Sequence, residues 1–318
     1  MATVSSPAFA FAPAVREKIP LIIGLAGGTG SGKTKSAMRL ASGLAGGKRF
    51  AVVDTEAARA KHYGDQHAFD HGDLQPPFTP ARYTEAILAA DAAHYPVIVV
   101  DSCSHEWAGE GGCLDQQEQE LQRMAGEDWK KREACRMAAW IAPKMAHKKM
   151  VQRLLQVRAH LILCMRAEEK VAMVRDPADG KMKIVPKASP TGLDGWIPIC
   201  EKSLPFELTA SFLLLADAPG VPRPIKLYEQ HRALLKDGAP IDEQLGERLA
   251  AWAAGGAPAT MAVDTPEKLL EEYSKCSSRN AWEALEKRRA ALWATAKGNI
   301  KQRLKDASDT AADRLRSP

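Results

Sequence analysis

Eight consecutive residues, Gly27-Gly28-Thr29-Gly30-Ser31-Gly32-Lys33-Thr34, limit what this chain can fold into more than any other stretch. They fit the pattern G-x-x-x-x-G-K-[ST] in full. Glycines at these positions let the main chain curl until successive N–H groups point inward, a nest that suits polyphosphate oxygens. The flanks agree. Leu21-Ile22-Ile23-Gly24-Leu25-Ala26 is a short apolar run of the kind that forms a buried parallel strand. Beyond the motif, Ala37, Met38, Leu40, Ala41 and Leu44 recur at helical spacing, and Gly46-Gly47 supplies a stop. A helix leaving such a loop aims the positive end of its dipole at a bound anion. In that setting Lys33 brings a mobile cation to the β- and γ-phosphates and the Thr34 hydroxyl is a magnesium ligand. The expected ligands are therefore ATP, or GTP, with Mg2+.

The same strand–helix alternation continues. Phe50-Ala51-Val52-Val53-Asp54, Val97-Ile98-Val99-Val100-Asp101 and Leu161-Ile162-Leu163-Cys164-Met165 read as strands, with helices over residues 80–93 and 144–157. This predicts an α/β fold with a mostly parallel central sheet flanked by helices. Asp101 ends its strand, expected to lie beside the first one, where its carboxylate can hold magnesium through water. Asp54-Thr55-Glu56 puts two acids just past another strand end. Read from the residues, Glu56 is either the carboxylate that orients an attacking water or a loop acid that starts a helix.

Later the character changes. Residues 171–175 and 181–185 flank Asp176-Pro177-Ala178-Asp179-Gly180, which predicts a protruding β-hairpin. Residues 206–215 and 224–228 read as further strands. The expected division is a leader over 1–18, an α/β core over 19–254, a linker over 255–264 and a helical C-terminal unit over 265–318. Gly255-Gly256-Ala257-Pro258 marks the linker, and Thr265-Pro266 the helix start. In that last unit Leu269, Tyr273, Trp282, Leu285, Leu292 and Trp293 would bury one side of a helical pair, and its mixed charges suit a solvated face.

Composition narrows the function. A net charge of +5 is compatible with nucleic acid without requiring it. The six cysteines (Cys103, Cys113, Cys135, Cys164, Cys200, Cys276) form no CxxC pair and no Cys/His ligand spacing, which speaks against a zinc site and a disulfide framework. The first twenty residues lack the build of a signal peptide, and no run of about 18 apolar residues is present. A reduced, cytosolic protein without a transmembrane helix is expected.

Three stretches carry a resemblance to phage-encoded RecA-fold ATPases: residues 27–34; Val53-Asp54-Thr55-Glu56 with Arg59 and Tyr63; and residues 99–107, Val-Val-Asp-Ser-Cys-Ser-His-Glu-Trp. Trp140 with Pro143, and Met165-Arg166-Ala167, add to it. The resemblance spans residues 21–252. It implies a RecA-like P-loop core that binds and hydrolyses ATP, a D-x-E setting in which Glu56 is the general base and Asp54 structural, and relatives that act in recombination or single-strand annealing. Arg166 stands where such enzymes place a polar γ-phosphate sensor, but RecA-like proteins look to have glutamine there, so a sensor and a surface salt bridge both stay open. Lys226 resembles lysines extended into a neighbour's ATP site, against the alternative of an exposed edge-strand lysine. The resemblance further implies a homo-oligomer and single-stranded DNA as a partner, met by Lys170, Arg175, Lys181, Lys183 and Lys187 of the hairpin. His105 and Glu106 are read as catalytic or as hydrogen-bonded loop residues, and Trp107, Trp129 and Trp140 as packing residues. Two rivals remain: a small-molecule kinase, and a nucleotide-gated scaffold with negligible turnover.

Overall fold

The structure, a computed structural model, describes residues 16, 18–177, 180–189, 192–193, 195–255, 265–293 and 296–315. Most of the leader and linker expected over 1–18 and 255–264 lies outside the described residues, as do Ala178 and Asp179 of the hairpin turn. The chain divides into two compact units, Arg16–Gly256 and another that contains the C-terminal helices.

In the larger unit the elements run β1 (Ile22–Gly27), α1 (Lys33–Ala45), β2 (Phe50–Asp54), β3 (Phe69–Asp73), α2 (Pro80–Ala92), β4 (Val97–Asp101), α3 (Ser104–Ala108), α4 (Cys113–Ala125), α5 (Trp129–Cys135) and α6 (Ile141–Leu154). Then follow β5 (His160–Glu169), β6 (Val171–Arg175), β7 (Met182–Pro186), β8 (Trp196–Pro198), α7 (Leu204–Glu207), β9 (Ala210–Leu214), β10 (Arg223–Lys226), α8 (Glu229–Arg232) and α9 (Glu243–Ala254). The main sheet has the order β10-β9-β1-β5-β4-β2-β3. Its strands are parallel except β10, which runs antiparallel to β9 at the edge, and β8, which pairs antiparallel with the far end of β5.

The expected mostly parallel α/β sheet is therefore present, with corrections of detail. β4 does not lie beside β1: β5 is inserted between them, pairing with both. A strand's neighbours depend on long-range pairing that an apolar run does not encode. β5 also extends beyond Met165 to Glu169, because Ala167, Glu168 and Glu169 find partners in β8. The strand expected from residue 206 starts at Ala210, since Pro205 sits at the start of the short helix α7, which takes up Phe206. β3 has no apolar signature (Phe-Asp-His-Gly-Asp) and survives as an edge strand paired to β2.

Side chains alternate across each strand, so two cores form. Leu21, Ile23, Leu25, Val97, Val99, Ile162 and Phe212 face the layer of α1 and α9, with Met38, Leu40, Leu245 and Leu249. Ile22, Ala26, Ile98, Val100, Leu161, Leu163 and Met165 face the layer of α2 and α6, with Tyr83, Ile87, Met150 and Leu154. Helices α1 and α9 cross unusually closely at Gly43 and Gly246. A Cβ on Gly43 would stand 1.9 Å from the Glu243 carbonyl oxygen, and one on Gly246 2.5 Å from that of Leu40. Beside this crossing Arg39 forks onto the Glu243 carboxylate, with Nη2 2.6 Å from Oε2. Another tie fixes the start of β1: the Leu21 amide donates to His160 Nδ1 at 3.0 Å.

β6 and β7 form a separate two-stranded hairpin, as the turn composition predicts. Val171, Met173, Met182 and Ile184 on it are 56–70% exposed, an apolar face that the basic residues concealed in the sequence. Lys170 is paired with Glu168 and Lys183 with Asp176.

Among the described residues the C-terminal unit contains three helices rather than the expected pair: α10 (Pro266–Lys275), α11 (Arg279–Trp293) and α12 (Gly298–Arg314). Thr265 caps α10 through the Lys268 amide. Leu269, Tyr273, Cys276, Leu285, Leu304 and Ala311 form its core. Glu286 accepts from Tyr273 Oη (2.6 Å) and Ser308 Oγ (2.5 Å) and pairs with Arg289, joining all three helices. Arg288 pairs with Glu272, so part of the basic cluster at 287–289 is engaged within the unit.

Candidate nucleotide site

The eight-residue motif connects β1 to α1. Gly30 and Gly32 sit at φ 76° and 80°, the left-handed region in which a side chain is strained, and this bends the loop back over the helix start. Gly32 is the N-cap of α1 and brings no side chain to satisfy the first-turn amides, so these donors point into the loop. Lys33 Nζ donates to the Gly28 carbonyl at 2.8 Å, and Ser31 Oγ to the same oxygen at 2.8 Å. Burial draws the Lys33 pKa below the ordinary lysine value, opposed by Cys164, Asp101 and Glu56. An anion arriving at the loop would favour the charged ammonium.

Thr34 Oγ1 donates to Asp101 Oδ2 at 2.6 Å, bringing together two residues 67 apart in sequence. Burial pushes the Asp101 carboxyl above the usual carboxylate range, and the Thr34 hydrogen bond opposes that shift. A hydroxyl and a carboxylate at one point are hard oxygen donors, the set that Mg2+ takes together with phosphate oxygens. The two residues therefore fit that ion. β5 lies between their strands, yet the contact forms because α1 crosses over the strand ends from the loop.

Asp54 and Glu56 divide their roles by environment. Asp54 is fully buried; its carboxylate accepts the Glu56 amide (2.6 Å) and the Ala60 amide (2.9 Å) and pairs with His71 Nε2 (3.1 Å). It shapes the loop that presents Glu56. That loop continues through Ala57 and Ala58 at φ 56° and 60°, a left-handed pair of non-glycine residues costing roughly 1–2 kcal/mol each, of the sort that collects at functional sites. Glu56 Oε1 accepts two bonds from Arg166, Nε at 2.9 Å and Nη2 at 2.7 Å, while Oε2 pairs with Arg59 at 3.1 Å. Arg166 is held in turn by its amide, which donates to Ser104 Oγ at 2.8 Å. Below these, Thr55 Oγ1 bridges the Ser102 main chain and His105 Nδ1 (2.8 Å), which locks the ends of β2 and β4 together. His105 is thus a hydrogen-bonded residue whose pKa burial, followed by Arg166, keeps below the free imidazole value.

Glycines 27, 28, 30 and 32, Thr29, Lys33, Thr34, Glu56, Arg59, Tyr63, Asp101 and Arg166 line one open cleft of about 680 Å³. Ser31 is buried behind it. Ala167 and Ile199 also line the cleft, and the indole of Trp196 packs over Gly28. Sequence reasoning missed Trp196 and Ile199 because β8 returns to the site only after the hairpin. Lys226 is not among the lining residues: on the edge strand, its Nζ donates to the Phe206 carbonyl at 2.6 Å. Trp107 and Trp140 stack at 5.4 Å as packing residues, but Trp129 is 72% exposed and does not pack as expected, because the seven-residue α5 that starts with it buries none of its residues. No helix among the described residues is long and apolar enough to cross a membrane.

A parallel sheet with a phosphate loop between its first strand and helix, and an acid across from the loop hydroxyl, defines a P-loop nucleotide-binding domain of the ATPase type. Residues 19–190, more than half of the chain, match the AAA domain family, and the chain belongs to it. No curated protein matches the chain at a significant level.

Proposed function

We propose that this protein hydrolyses ATP with Glu56 as general base, and that turnover assists DNA recombination or single-strand annealing in a phage-infected or prophage-bearing bacterial cytosol. The observation that carries the catalytic reading is the shared cleft: loop amides, Lys33, the Thr34–Asp101 pair and Glu56 all face one space. Bound Mg2+, held by Thr34 and Asp101, would neutralise charge on the β- and γ-phosphate oxygens. Lys33 leaves the Gly28 carbonyl for the phosphates, and the loop amides hold the spreading negative charge. Glu56 accepts the proton of the water that attacks the γ-phosphorus in line, as the bond to the β-phosphate oxygen breaks and ADP departs. For this the Glu56 carboxylate must leave Arg166. Arg166 is half-exposed while the Glu56 side chain is only 9% exposed, so the exchange depends on the γ-phosphate replacing the carboxylate as the partner of the guanidinium. Arg166 then serves as the sensor, and Lys226 is assigned to the site of a neighbouring subunit in a homo-oligomer.

The nucleic-acid part rests on the resemblance and on the hairpin. Its exposed apolar face among basic residues supports contact with single-stranded DNA, in which bases and phosphates are both accessible. ATP hydrolysis measured with and without single-stranded DNA, beside Lys33→Ala and Glu56→Gln, tests both parts. Stimulation by DNA, abolished in both variants, supports the proposal. Turnover unchanged by DNA at every protein concentration refutes the coupling. Phosphate transfer to a small acceptor instead of water would make the protein a kinase, and turnover indifferent to Glu56→Gln would make it a scaffold.

A further inference from the structure

Away from the nucleotide cleft, three side chains from three helices meet in the interior: Glu106 of α3, Cys113 of α4 and His147 of α6. Their exposures are 1%, 0% and 6%. Cys113 Sγ is 3.3 Å from Glu106 Oε1, and His147 Nδ1 is 3.0 Å from Oε1 and 3.2 Å from Oε2. One carboxylate oxygen, one thiol sulfur and one imidazole nitrogen all lie within 4.8 Å of one another. We propose that these three residues bind a thiophilic divalent cation, Zn2+ foremost, at a site distinct from the Mg2+ position at Thr34 and Asp101.

Four observations carry this. Zinc bonds of about 2.0–2.3 Å at tetrahedral angles put neighbouring ligand atoms roughly 3.3–3.7 Å apart, so the three donors need only small shifts to take up an ion. The donors are chemically suited, since imidazole and thiolate together select Zn2+ over Mg2+ or Ca2+. The charge also asks for a cation: among the described residues no lysine or arginine pairs with the buried Glu106, whose salt-bridge partner is His147. Finally, one of the three donors borders open space. The Trp107 ring meets His147 edge-on at 6.0 Å, and His147 also lines an open cavity of about 450 Å³ with Lys144, Glu201 and Ser203. Three protein ligands leave a fourth position for water. Chain-order spacing gave no hint of such a site, because Glu106, Cys113 and His147 are brought together by helix packing rather than by a local motif. The bound ion would clamp α3, which follows directly on the β4 end carrying Asp101, to α4 and α6.

The test uses the full chain, stripped with a chelator and then loaded with Zn2+ or Co2+. Close to one tightly held Zn2+ per chain by elemental mass spectrometry, and a thiolate-to-Co2+ charge-transfer band with tetrahedral d–d absorption, support the proposal. Asp101→Asn, which disables the nucleotide-site metal, leaves both unchanged. Cys113→Ser removes the charge-transfer band, and His147→Gln weakens binding by more than the 10–100-fold typical of outer-shell partners alone. A wild-type protein that takes up no stoichiometric Zn2+, or whose Co2+ form shows no thiolate band, overturns the proposal whether or not the variants fold. Binding that survives both variants in folded protein overturns it too.

Discussion

Replacing Gly43 by alanine sets two physical rules against each other. Gly43 lies inside α1, where an exposed Gly→Ala change stabilises a helix by about 0.8–1.0 kcal/mol. Here the new methyl would sit 1.9 Å from the Glu243 carbonyl oxygen and 2.8 Å from its carbon, whereas ordinary contact begins at 3.4 Å. The obstacle is main chain, so no rotamer relieves it, and the helices must part by well over an ångström. Overpacking costs typically about 1–3 kcal/mol, and this contact belongs at the upper end. The net expectation is a loss of roughly 1–3 kcal/mol, or about 2–4 °C in Tm per kcal/mol for a unit of this size. Urea unfolding followed by circular dichroism measures the loss. Nucleotide affinity should fall with it, because α1 begins with Lys33 and Thr34. Gly46→Ala is the control: φ is 57° there but nothing lies within 4 Å, so it carries only left-handed strain of about 1–2 kcal/mol and spares nucleotide affinity. If Gly43→Ala proves neutral or stabilising, the close crossing of α1 and α9 is refuted.

The remaining expectations concern the cleft and the sheet edge. Glu56→Gln should lower the ATP turnover number by about 10²–10⁴-fold while ATP affinity stays within a few-fold, checked by phosphate release and fluorescent-nucleotide titration. Arg166→Ala should reduce kcat by up to about 10²–10³-fold with little change in KM; an unchanged kcat would leave Arg166 as an ion pair only. His160 accepts the Leu21 amide, and burial holds its pKa below 6.5. The folded state therefore binds fewer protons than the unfolded one: this contribution is complete above pH 6.5 and is lost as pH falls through the window below it. His160→Asn, which keeps an acceptor but cannot titrate, should flatten that part of the stability–pH curve in urea titrations; an unaltered slope would contradict the assignment.

What the sequence disclosed follows from how local each signal is. The loop at 27–34 and the strands ending in Asp54 and Asp101 were legible because each is a contiguous run with its own periodicity. The position of β4 was not, since no residue in Val97-Ile98-Val99-Val100 records that β5 will slide in next to β1. Residues 109–140 include α4 and α5: α4 keeps a narrow apolar side (Cys113, Leu121, Ala125) under many charges, a helical signal that could have been read, whereas α5 buries none of its residues. The double pairing of Glu56 with Arg166 and Arg59 joins residues 110 and 3 apart; the near partner could have been guessed, the far one could not. The hairpin was placed by its turn residues, but its apolar face required the strand register to be seen.

β5 passes through the cleft at Arg166, whose carbonyl accepts the Ile199 amide at 2.7 Å, and runs on without a break to Glu169. Lys170 then closes the root of the hairpin, its amide donating to Gly195 and its carbonyl accepting from Lys187. Arg166 and the hairpin thus sit on a single cantilever embedded in the sheet. A twist imposed where the terminal phosphate would lodge meets continuous strand from Arg166 to Glu169 before it reaches Val171, and a load hung on β6 and β7 would be felt, in reverse, as a tug on the guanidinium.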